Sequence, residues 1–313
     1  MKYNDYIKGG PKVSEIGLGA WQLGKSQDWE TMSDNEATAL VHKSLDLGVN
    51  YFDTAPNYGN GTSEDRLGRA LKERDRSKIV INTKFGHSDK GETNFEADNI
   101  RNSLEGSLRR LQTDYVDSLI IHNPPFSYLD GNNNPHYEVL ETLKEEGKIK
   151  EYGASLDTYE EMQLFMNTTN GKVIEAFFNI IHQDTRRAFK LAEENGVSIV
   201  VKIPLDSGWL SGKYNAESTF NDIRNRWSKE DIKTRAELVD RIKGLLIGEN
   251  DIAQIAISFC LAYGAVSTVI PGNKNIDQLI QNINSAKKPI PNLLWKNFEN
   301  LYHQEIEKLK IPW

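Results

Sequence analysis

Four residues of types that can donate or direct a proton lie at the ends of three apolar segments. Asp53 ends NYFD, and Tyr58 lies in the turn that follows it. Lys84 lies near the end of INTKF, and His122 ends LIIH. A free tyrosine has a pKa of about 10, too high for easy proton donation at neutral pH, but a neighbouring ammonium lowers it. The set therefore suits general acid catalysis at a carbonyl oxygen, with His122 donating a hydrogen bond to that oxygen.

Each of these residues also has a purely structural interpretation. Asp53 could cap a turn, Tyr58 could be a loop aromatic, and His122 could be a hydrogen-bonded core histidine. Lys84 could end its strand in solvent, but an unpaired ammonium inside an apolar strand is costly. A carboxylate one strand away would neutralise it. We therefore expect Lys84 to pair with Asp53, and all four residues to share one pocket.

The elements that would position these residues alternate regularly along the chain. After a short hairpin, YIKGGPKVSEI, apolar β-rich segments alternate with amphipathic helical segments. The predicted strands are IGLGAW, NYFDTA, KIVINTKF, VDSLIIHN, EYGASL, VIEAFFN, SIVVKIPL and STVIPG. The predicted helices are NEATALVHKSLDLG, SEDRLGRALKER, NIRNSLEGSLRRL, YEVLETLKEEG, YEEMQLFM, DTRRAFKLAEENG, ENDIAQIAISFCLAYG and NIDQLIQNINSA. This pattern predicts an α/β fold, a (β/α)8 TIM barrel in one domain over residues 1–313, rather than an open doubly wound sheet.

The composition limits the kinds of partner. The chain has 313 residues, of which 38% are hydrophobic and 27% charged, and a net charge of −7. An acidic chain without a dense Lys/Arg run disfavours nucleic-acid binding. The N-terminus lacks the pattern of a signal peptide, and no segment approaches the ~20 apolar residues of a membrane helix. We expect a cytoplasmic protein that acts on a small molecule, without a membrane partner; a monomer and a weak dimer both fit.

Metal and cysteine chemistry are disfavoured. Among the six histidines, His122 and His87 fall at predicted strand ends, and no His-x-His pair occurs. We therefore predict no metal site, although a metal-dependent hydrolase on the same barrel is an alternative. The single cysteine, Cys260, lies in the helical segment IAQIAISFCLAYG, which favours a buried inert thiol and allows no disulfide.

Seven segments resemble the aldo-keto reductases, in the order and near the spacing of that family. They are GLGAWQLG, GVNYFDTAPNYGNGTSEDRLGRAL, INTKFG, LIIHNPP, YGAS, PLDSGWLSGKY and VIPGNKNIDQLIQN. The resemblance implies a (β/α)8 barrel that reduces an aldehyde or ketone, or a sugar, with hydride from NADPH. It implies catalysis by Asp53, Tyr58, Lys84 and His122, with Tyr58 protonating the developing alkoxide. Trp21, Tyr58 and His122 would contact the substrate.

The resemblance also implies how the cofactor binds. In this family it lies across the strand ends without a Rossmann domain, in keeping with the wrong G-x-G-x-x-G spacing of Gly17, Gly19 and Gly24. The positions that match the nicotinamide site are Gly19, Ala20, Trp21, Asp53, Ser155, Glu175 and Lys202. Those that match the pyrophosphate loop are Pro204, Leu205, Ser207, Gly208, Leu210 and Lys213. Those around the adenosine and its 2′-phosphate are Gly272, Asn273, Lys274, Gln278, Gln281 and Asn282. Lys274 favours NADP over NAD because its ammonium suits a phosphate.

Three positions in the nicotinamide site depart from the family pattern. Leu156 replaces the usual Asn, Glu175 replaces Gln, and Lys202 replaces an aromatic residue. One buried charge alone would be costly there. We therefore hypothesise that Glu175 and Lys202, on neighbouring strands, form an ion pair beneath the nicotinamide.

Two further functions fit the same residues. One is a dehydrogenase that mainly oxidises an aldose or another polyol, because both directions use the same groups. The other is a nucleotide-sensing binding module that resembles the family's channel-associated β subunits.

The surroundings of the pocket are predicted more loosely. Trp21, Phe126, Trp209 and Trp227 are candidate pocket walls. The segment STFNDIRNRWSKEDIK is either a mobile loop over the pocket or an additional surface helix.

Overall fold

The computed structural model describes residues 1–7, 9–25, 28–246, 251–309 and 311–312. Its main sheet contains eight parallel strands, each hydrogen-bonded to the next in chain order. They are β3 (Leu18–Gly19), β4 (Tyr51–Asp53), β5 (Val80–Phe85), β6 (Val116–His122), β7 (Ile149–Leu156), β8 (Val173–Phe177), β9 (Ser198–Lys202) and β10 (Val266–Ile270). Bridges between Ile16 and Val269 and between Gly19 and Gly272 connect the two ends of the sheet. The sheet is thus a nearly closed (β/α)8 barrel, as predicted.

Helices cover the outside of the barrel. They are α1 (Asp34–Asp46), α2 (Thr62–Leu71), α3 (Ala97–Leu111), α4 (His136–Glu145), α5 (Tyr159–Thr168), α6 (Phe189–Asn195), α7 (Lys229–Leu245), α8 (Ile252–Leu261), α9 (Ile276–Ser285) and α10 (Asn292–Leu301). Each of the eight predicted helical segments overlaps one of them; residues 249 and 250 of the predicted segment ENDIAQIAISFCLAYG lie outside the described residues. Within the described ranges, no helix is both long and apolar enough to cross a membrane.

Helices α7 and α10 were not among the eight predicted helices. The segment STFNDIRNRWSKEDIK contains a 3₁₀ turn, Ile223–Arg226, and then the start of α7. Ser228 and Asp231 form a capping box at the N-terminus of α7, which satisfies backbone N–H groups that would otherwise lack partners. The segment was predicted to be either a loop or an additional helix, and it contains both a turn and the start of a helix.

A two-stranded antiparallel hairpin covers the amino end of the barrel. Its strands are β1 (Tyr3–Asn4) and β2 (Val13–Ser14). A hairpin at this end of the chain is confirmed, but its first strand precedes the predicted segment YIKGGPKVSEI. Tyr6 lies between them in the chain, is 3% exposed, and packs edge-on against Tyr51 at a ring-centroid distance of 5.3 Å. The side chain of Ser198 donates a hydrogen bond to the carbonyl of Tyr6. The hairpin therefore inserts an aromatic side chain among the first residues of the barrel strands.

Close strand packing makes one glycine necessary. A Cβ atom on Gly153 in β7 would lie 1.8 Å from the carbonyl oxygen of Val173 in β8. Backbone atoms in a closed barrel cannot move aside without breaking ladder hydrogen bonds. We expect Gly153→Ala to lower the free energy of unfolding by about 2–3 kcal/mol, at the upper end for overpacking.

The matched control is Gly244→Ala in α7. A Cβ there would meet no heavy atom within 4 Å, and Ala is favoured over Gly in helices by up to about 1 kcal/mol. Urea unfolding followed by circular dichroism measures both variants. Equal stability of the two would contradict the proposed packing constraint.

Candidate active site

A cavity of about 480 Å³ opens at the carboxyl end of the barrel strands. Strand residues that line it include Gly19 of β3, Asp53 of β4, His122 of β6, Glu175 of β8 and Lys202 of β9. In (β/α)8 barrels, the residues that perform chemistry lie at this end. The strands thus bring candidate residues from distant parts of the chain into one place.

Lys84 lies beneath the floor of this cavity and is fully buried. Its Nζ donates hydrogen bonds of 2.8 Å to both carboxylate oxygens of Asp53 and of 3.0 Å to the carbonyl of Thr54. A carboxylate oxygen of Glu175 lies 3.2 Å from the same Nζ. Burial alone would lower the pKa of Lys84, but the negative charges of Asp53 and Glu175 outweigh it and raise this pKa. The predicted pairing of Lys84 with Asp53 is confirmed, and Lys84 carries a full positive charge.

Tyr58 lies over this ammonium. The Nζ of Lys84 is 5.0 Å from the centre of the Tyr58 ring, and the ring stacks on Trp21 at 5.6 Å. Burial raises the pKa of Tyr58; the charge of Lys84 lowers it in part, while Asp53 and Glu175 add to the rise. In this environment the tyrosine holds its proton, and the nearby ammonium stabilises the phenolate that forms when the proton leaves.

The turn that carries Tyr58 depends on glycine. Gly59 has a φ of 59°, in the left-handed region that glycine adopts at little cost. A Cβ on Gly24, in the loop after β3, would lie 2.7 Å from the backbone nitrogen of Gly59. The two loops therefore touch through their backbones beside Tyr58, which limits the movement of its ring.

His122 ends β6 and faces Tyr58 edge-on, with 5.9 Å between the ring centres. Burial, together with the positive charges of Lys84 and Lys202, holds the pKa of His122 well below its usual range. Its imidazole is therefore neutral at pH 7 and donates one N–H. The ring of His87 packs against it at 5.2 Å, and burial lowers the pKa of His87 as well.

Lys202 does not pair with Glu175, so the predicted ion pair between them is wrong. The Nζ of Lys202 lies 2.8 Å from a carboxylate oxygen of Asp157. It also donates hydrogen bonds of 2.7 Å to Ser155 Oγ and 3.0 Å to Asn123 Oδ1. Both charges that depart from the family pattern are therefore balanced by other neighbours.

The strand register explains this outcome. Glu175 is level with Ser155 on one side and Val200 on the other, whereas Lys202 is level with Phe177. Lys202 is thus two residues closer to the mouth of the barrel than Glu175. The Lys202 ammonium therefore lies at the rim beside Asp157, whereas the Glu175 carboxylate reaches Lys84 across the barrel.

Glu175 has an unusual protonation equilibrium. Burial and the negative charge of Asp53 raise the pKa of Glu175 to about 7, although the charges of Lys84 and Lys202 partly oppose this rise. The ammonium of Lys84 cannot fully satisfy two carboxylates at once. Glu175 therefore changes its protonation state near neutral pH.

The other predicted cofactor positions divide into two groups. Those that line the cavity are Gly19, Trp21, Asp53, Pro204, Leu205, Ser207, Gly208, Lys213, Gly272, Lys274, Gln278, Gln281 and Asn282. Those that lie buried behind its wall are Ala20, Ser155, Leu210 and Asn273. Ser155 still acts on the site through its hydrogen bond to Lys202.

The loop after β9 is held in an uncommon backbone conformation. Ile203, Asp206 and Ser207 have φ values of 54°, 46° and 53°, in the left-handed region, which is a genuine outlier for a β-branched residue such as Ile203. The buried carboxylate of Asp206 lies 3.3 Å from both Arg235 and His182. Such backbone strain persists only where surrounding contacts enforce it, and it is concentrated at binding sites.

Several residues of the cavity were not predicted. They include Gln22, Trp29, Asn57, His87, Asn123, Tyr214 and Arg224. Asn57 directly precedes Tyr58, and Asn123 directly follows His122. Their positions in the chain therefore indicate that they lie near the site. Trp29 lies in an irregular loop and Arg224 in the 3₁₀ turn Ile223–Arg226, and the Arg224 guanidinium lies 5.5 Å from the centre of the Trp29 ring.

Of the four predicted aromatic walls, Trp21 lines the cavity. Phe126 is 53% exposed outside it, and Trp209 and Trp227 are buried and pack on each other at 6.3 Å. These three predictions are wrong: Phe126 points to solvent, whereas Trp209 and Trp227 form a loop core together with Tyr214. Within the described ranges, the His, Cys, Asp and Glu side chains form no group of three that could hold a metal ion.

Residues 15–303 match the model of the Aldo/keto reductase family, so the chain belongs to that family. The holo form of aldo-keto reductase AKR11C1 from Bacillus halodurans superposes with a TM-score of 0.80 at 28% identity, over 96% of each chain. "Aldo-keto reductase yakc [NADP(+)]" of Schizosaccharomyces pombe is 30% identical over 89% of this chain and 85% of its own. A "Probable voltage-gated potassium channel subunit beta" of Arabidopsis thaliana is 30% identical over 91% of both.

The cavity fits the nicotinamide nucleotide used by this family. Cationic side chains of Lys213, Lys274 and Arg224 line it and suit a diphosphate or phosphate. The buried polar atoms Asn57 Oδ1 and His122 Nδ1 have no hydrogen-bond partner within the described part of the chain. Both features are those of a site that receives a large polar anionic ligand.

The pKa of Glu175 predicts a pH-dependent stability. Because this pKa is raised from 4.5 to about 7 in the folded state, the folded protein retains a proton that the unfolded chain releases as the pH rises between these values. Stability due to this group is therefore complete below pH 4.5 and is lost as the pH passes 7. We expect wild type to lose roughly 1–3 kcal/mol relative to Glu175→Gln over this range.

Urea titrations of both proteins at several pH values measure this difference. Glu138→Gln, at an exposed position of α4, controls for the removal of charge alone. Parallel pH profiles for wild type and Glu175→Gln would show that Glu175 does not titrate as described.

Proposed function

We propose that the protein is an NAD(P)H-dependent oxidoreductase that reduces an aldehyde or ketone to the alcohol, with Tyr58 as the general acid. The observation that carries this proposal is the fully buried ammonium of Lys84, paired with Asp53 and 5.0 Å from the ring of Tyr58. A buried charge of this kind beside a titratable phenol is the arrangement expected for proton transfer.

The bound nicotinamide supplies the hydride, and the side chains of the protein handle the proton. Asp53 keeps Lys84 in place and charged. As negative charge develops on the carbonyl oxygen, Tyr58 donates its proton to that oxygen, and Lys84 stabilises the tyrosinate that remains. The neutral imidazole of His122 donates a hydrogen bond to the same oxygen, which orients the carbonyl and favours the transition state. Trp21 stacks on Tyr58 and forms a wall for the substrate.

NADPH is the proposed cofactor in preference to NADH. The ammonium of Lys274 makes a long contact of 3.7 Å with the exposed Glu30, so it is easily redirected to a phosphate. A relative that is 30% identical carries NADP(+) in its name. The strained loop that contains Ser207 and Gly208 would cover the pyrophosphate, with Lys213 as a further cation.

Oxidation of an alcohol or sugar is the second candidate. The oxidised nicotinamide ring is cationic, and the carboxylate of Glu175 lines the same cavity. When ionised, Glu175 would stabilise the oxidised form of the cofactor. Rates with a carbonyl and NADPH, compared with rates for an alcohol or aldose and NADP⁺ or NAD⁺, distinguish the two directions. Cofactor binding without turnover on either panel would instead favour a nucleotide-sensing module.

Removal of the Tyr58 hydroxyl tests the chemical proposal. We expect Tyr58→Phe to lower kcat by about 10²- to 10⁴-fold, the usual contribution of a general acid, and to leave NADPH affinity nearly unchanged. Turnover is followed by NADPH absorbance, and affinity by the quenching of tryptophan fluorescence. Tyr3→Phe removes an exposed hydroxyl as the control. Full activity of Tyr58→Phe would refute the assigned role.

Lys274 tests the cofactor preference. We expect Lys274→Met to weaken NADPH binding about tenfold and to leave NADH binding unchanged, because the lost contact is a charge-assisted bond to the 2′-phosphate. Lys190→Met removes the same charge at an exposed site on α6. An equal loss for both cofactors would place Lys274 at the pyrophosphate instead.

A further inference from the structure

A line of polar side chains runs through the barrel interior from the hairpin to Asp53. Asn82 Nδ2 lies 2.7 Å from Asp53 Oδ1, and Asn82 Oδ1 lies 2.5 Å from Ser118 Oγ. Ser118 Oγ lies 2.7 Å from the hydroxyl of Tyr6, which lies 3.3 Å from the hydroxyl of Tyr51. All five residues are at most 3% exposed. We call Tyr6, Ser118 and Asn82 the interior chain.

The direction of every hydrogen bond in the interior chain follows from its end. Asp53 is an ionised carboxylate and only accepts, so Asn82 must present its NH2 group to it. The amide oxygen of Asn82 therefore faces Ser118, whose hydroxyl must donate. The oxygen of Ser118 then accepts from the Tyr6 hydroxyl. Each donor thus points along the same line toward Asp53.

The interior chain cannot carry a proton to Asp53. The amide of Asn82 does not release or take up protons near neutral pH, so it interrupts any relay of protons. It does transmit polarity, because a hydrogen bond strengthens when the donor group is itself an acceptor of another bond. The effect is therefore electrostatic: the positive ends of three aligned dipoles point at the carboxylate that holds Lys84.

We propose that Tyr6, acting through Ser118 and Asn82, is a positioning residue for Asp53, and that the hairpin at the amino end of the barrel thereby tunes proton transfer at the carboxyl end. This inference rests on the proposed function of Tyr58. The strands supply two of the links by register, since Asp53 is level with Asn82, and Asn82 with Ser118. Tyr6 supplies the third link from outside the barrel.

The interior chain should change the pKa of Tyr58 in one direction. Aligned positive ends near Asp53 make the surroundings of Lys84 and Tyr58 less negative. Loss of a link makes them more negative, which disfavours the tyrosinate and raises the pKa of Tyr58. In the oxidative direction, where tyrosinate is the base, a variant would then be slower at neutral pH and regain its rate at higher pH. A fraction of misfolded protein would lower the rate equally at every pH.

The experiment is a graded series of variants. We expect Asn82→Ala to lower the oxidative kcat at pH 7 by about tenfold, because it removes a hydrogen bond to a charged group. Ser118→Ala should lower it by about threefold and Tyr6→Phe by about twofold, since each loosens or depolarises the next link. All three should regain the wild-type rate as the pH is raised.

Tyr137→Phe is the matched control. It also removes the hydroxyl of a buried tyrosine and keeps the ring, but this hydroxyl donates to the carbonyl of Tyr128, outside the interior chain. We expect its pH profile to equal that of wild type. NMR of ¹³Cζ-labelled tyrosine, with the Tyr58 signal assigned by its loss in Tyr58→Phe, gives a readout without turnover. The Tyr58 signal should titrate at higher pH in Ser118→Ala and Tyr6→Phe.

The outcomes are separable. Absence of turnover in wild type would overturn the proposed function itself. Wild-type turnover with identical pH profiles and Tyr58 titrations for Tyr6→Phe, Ser118→Ala and Tyr137→Phe would overturn the positioning role. If Asn82→Ala does not fold, the two milder variants and the NMR titration still decide.

Discussion

The burial of one positive charge organises this protein. The ammonium of Lys84 has no access to solvent, and a buried ion is tolerated only when opposite charges and hydrogen bonds replace its water. Asp53 on β4 and Glu175 on β8 supply the charges. In an open sheet, β5 and β8 would be three strand spacings apart, or about 14 Å. They meet because the barrel places them across a common interior, so closure of the barrel is a condition for the charge balance.

Other parts of the site also need buried partners to hold them in place. Tyr58 lies over the ammonium on a turn held by Gly59 and Gly24. The loop after β9 faces the same cavity with three residues in left-handed conformations, and buried Asp206 ties it to Arg235 and His182. The site therefore consists of strained or charged parts, each secured by buried partners on the scaffold.

The features that could be predicted from the sequence are those set by neighbouring strands. Apolar segments and helical periodicity are sufficient to predict the eight strands and the barrel. The energetic cost of an unpaired Lys84 is sufficient to predict its ion pair with Asp53. The prediction for Glu175 is wrong because its partner, Lys84, lies on a strand across the barrel, and neighbouring segments do not reveal such a contact. Trp209 and Trp227 were misassigned because loop packing follows no sequence period.

The two charged departures from the family pattern act on different groups. Lys202 holds Asn123 and Ser155, and Asn123 directly follows His122 with a φ of 48°. Glu175 contacts Lys84 and so acts on Tyr58. Lys202 therefore supports His122, the proposed hydrogen-bond donor to the carbonyl, whereas Glu175 adjusts the charge behind Tyr58, the proposed proton donor. The charge of Lys202 also partly opposes the rise in the pKa of Glu175, so the two departures form no ion pair but remain electrostatically coupled.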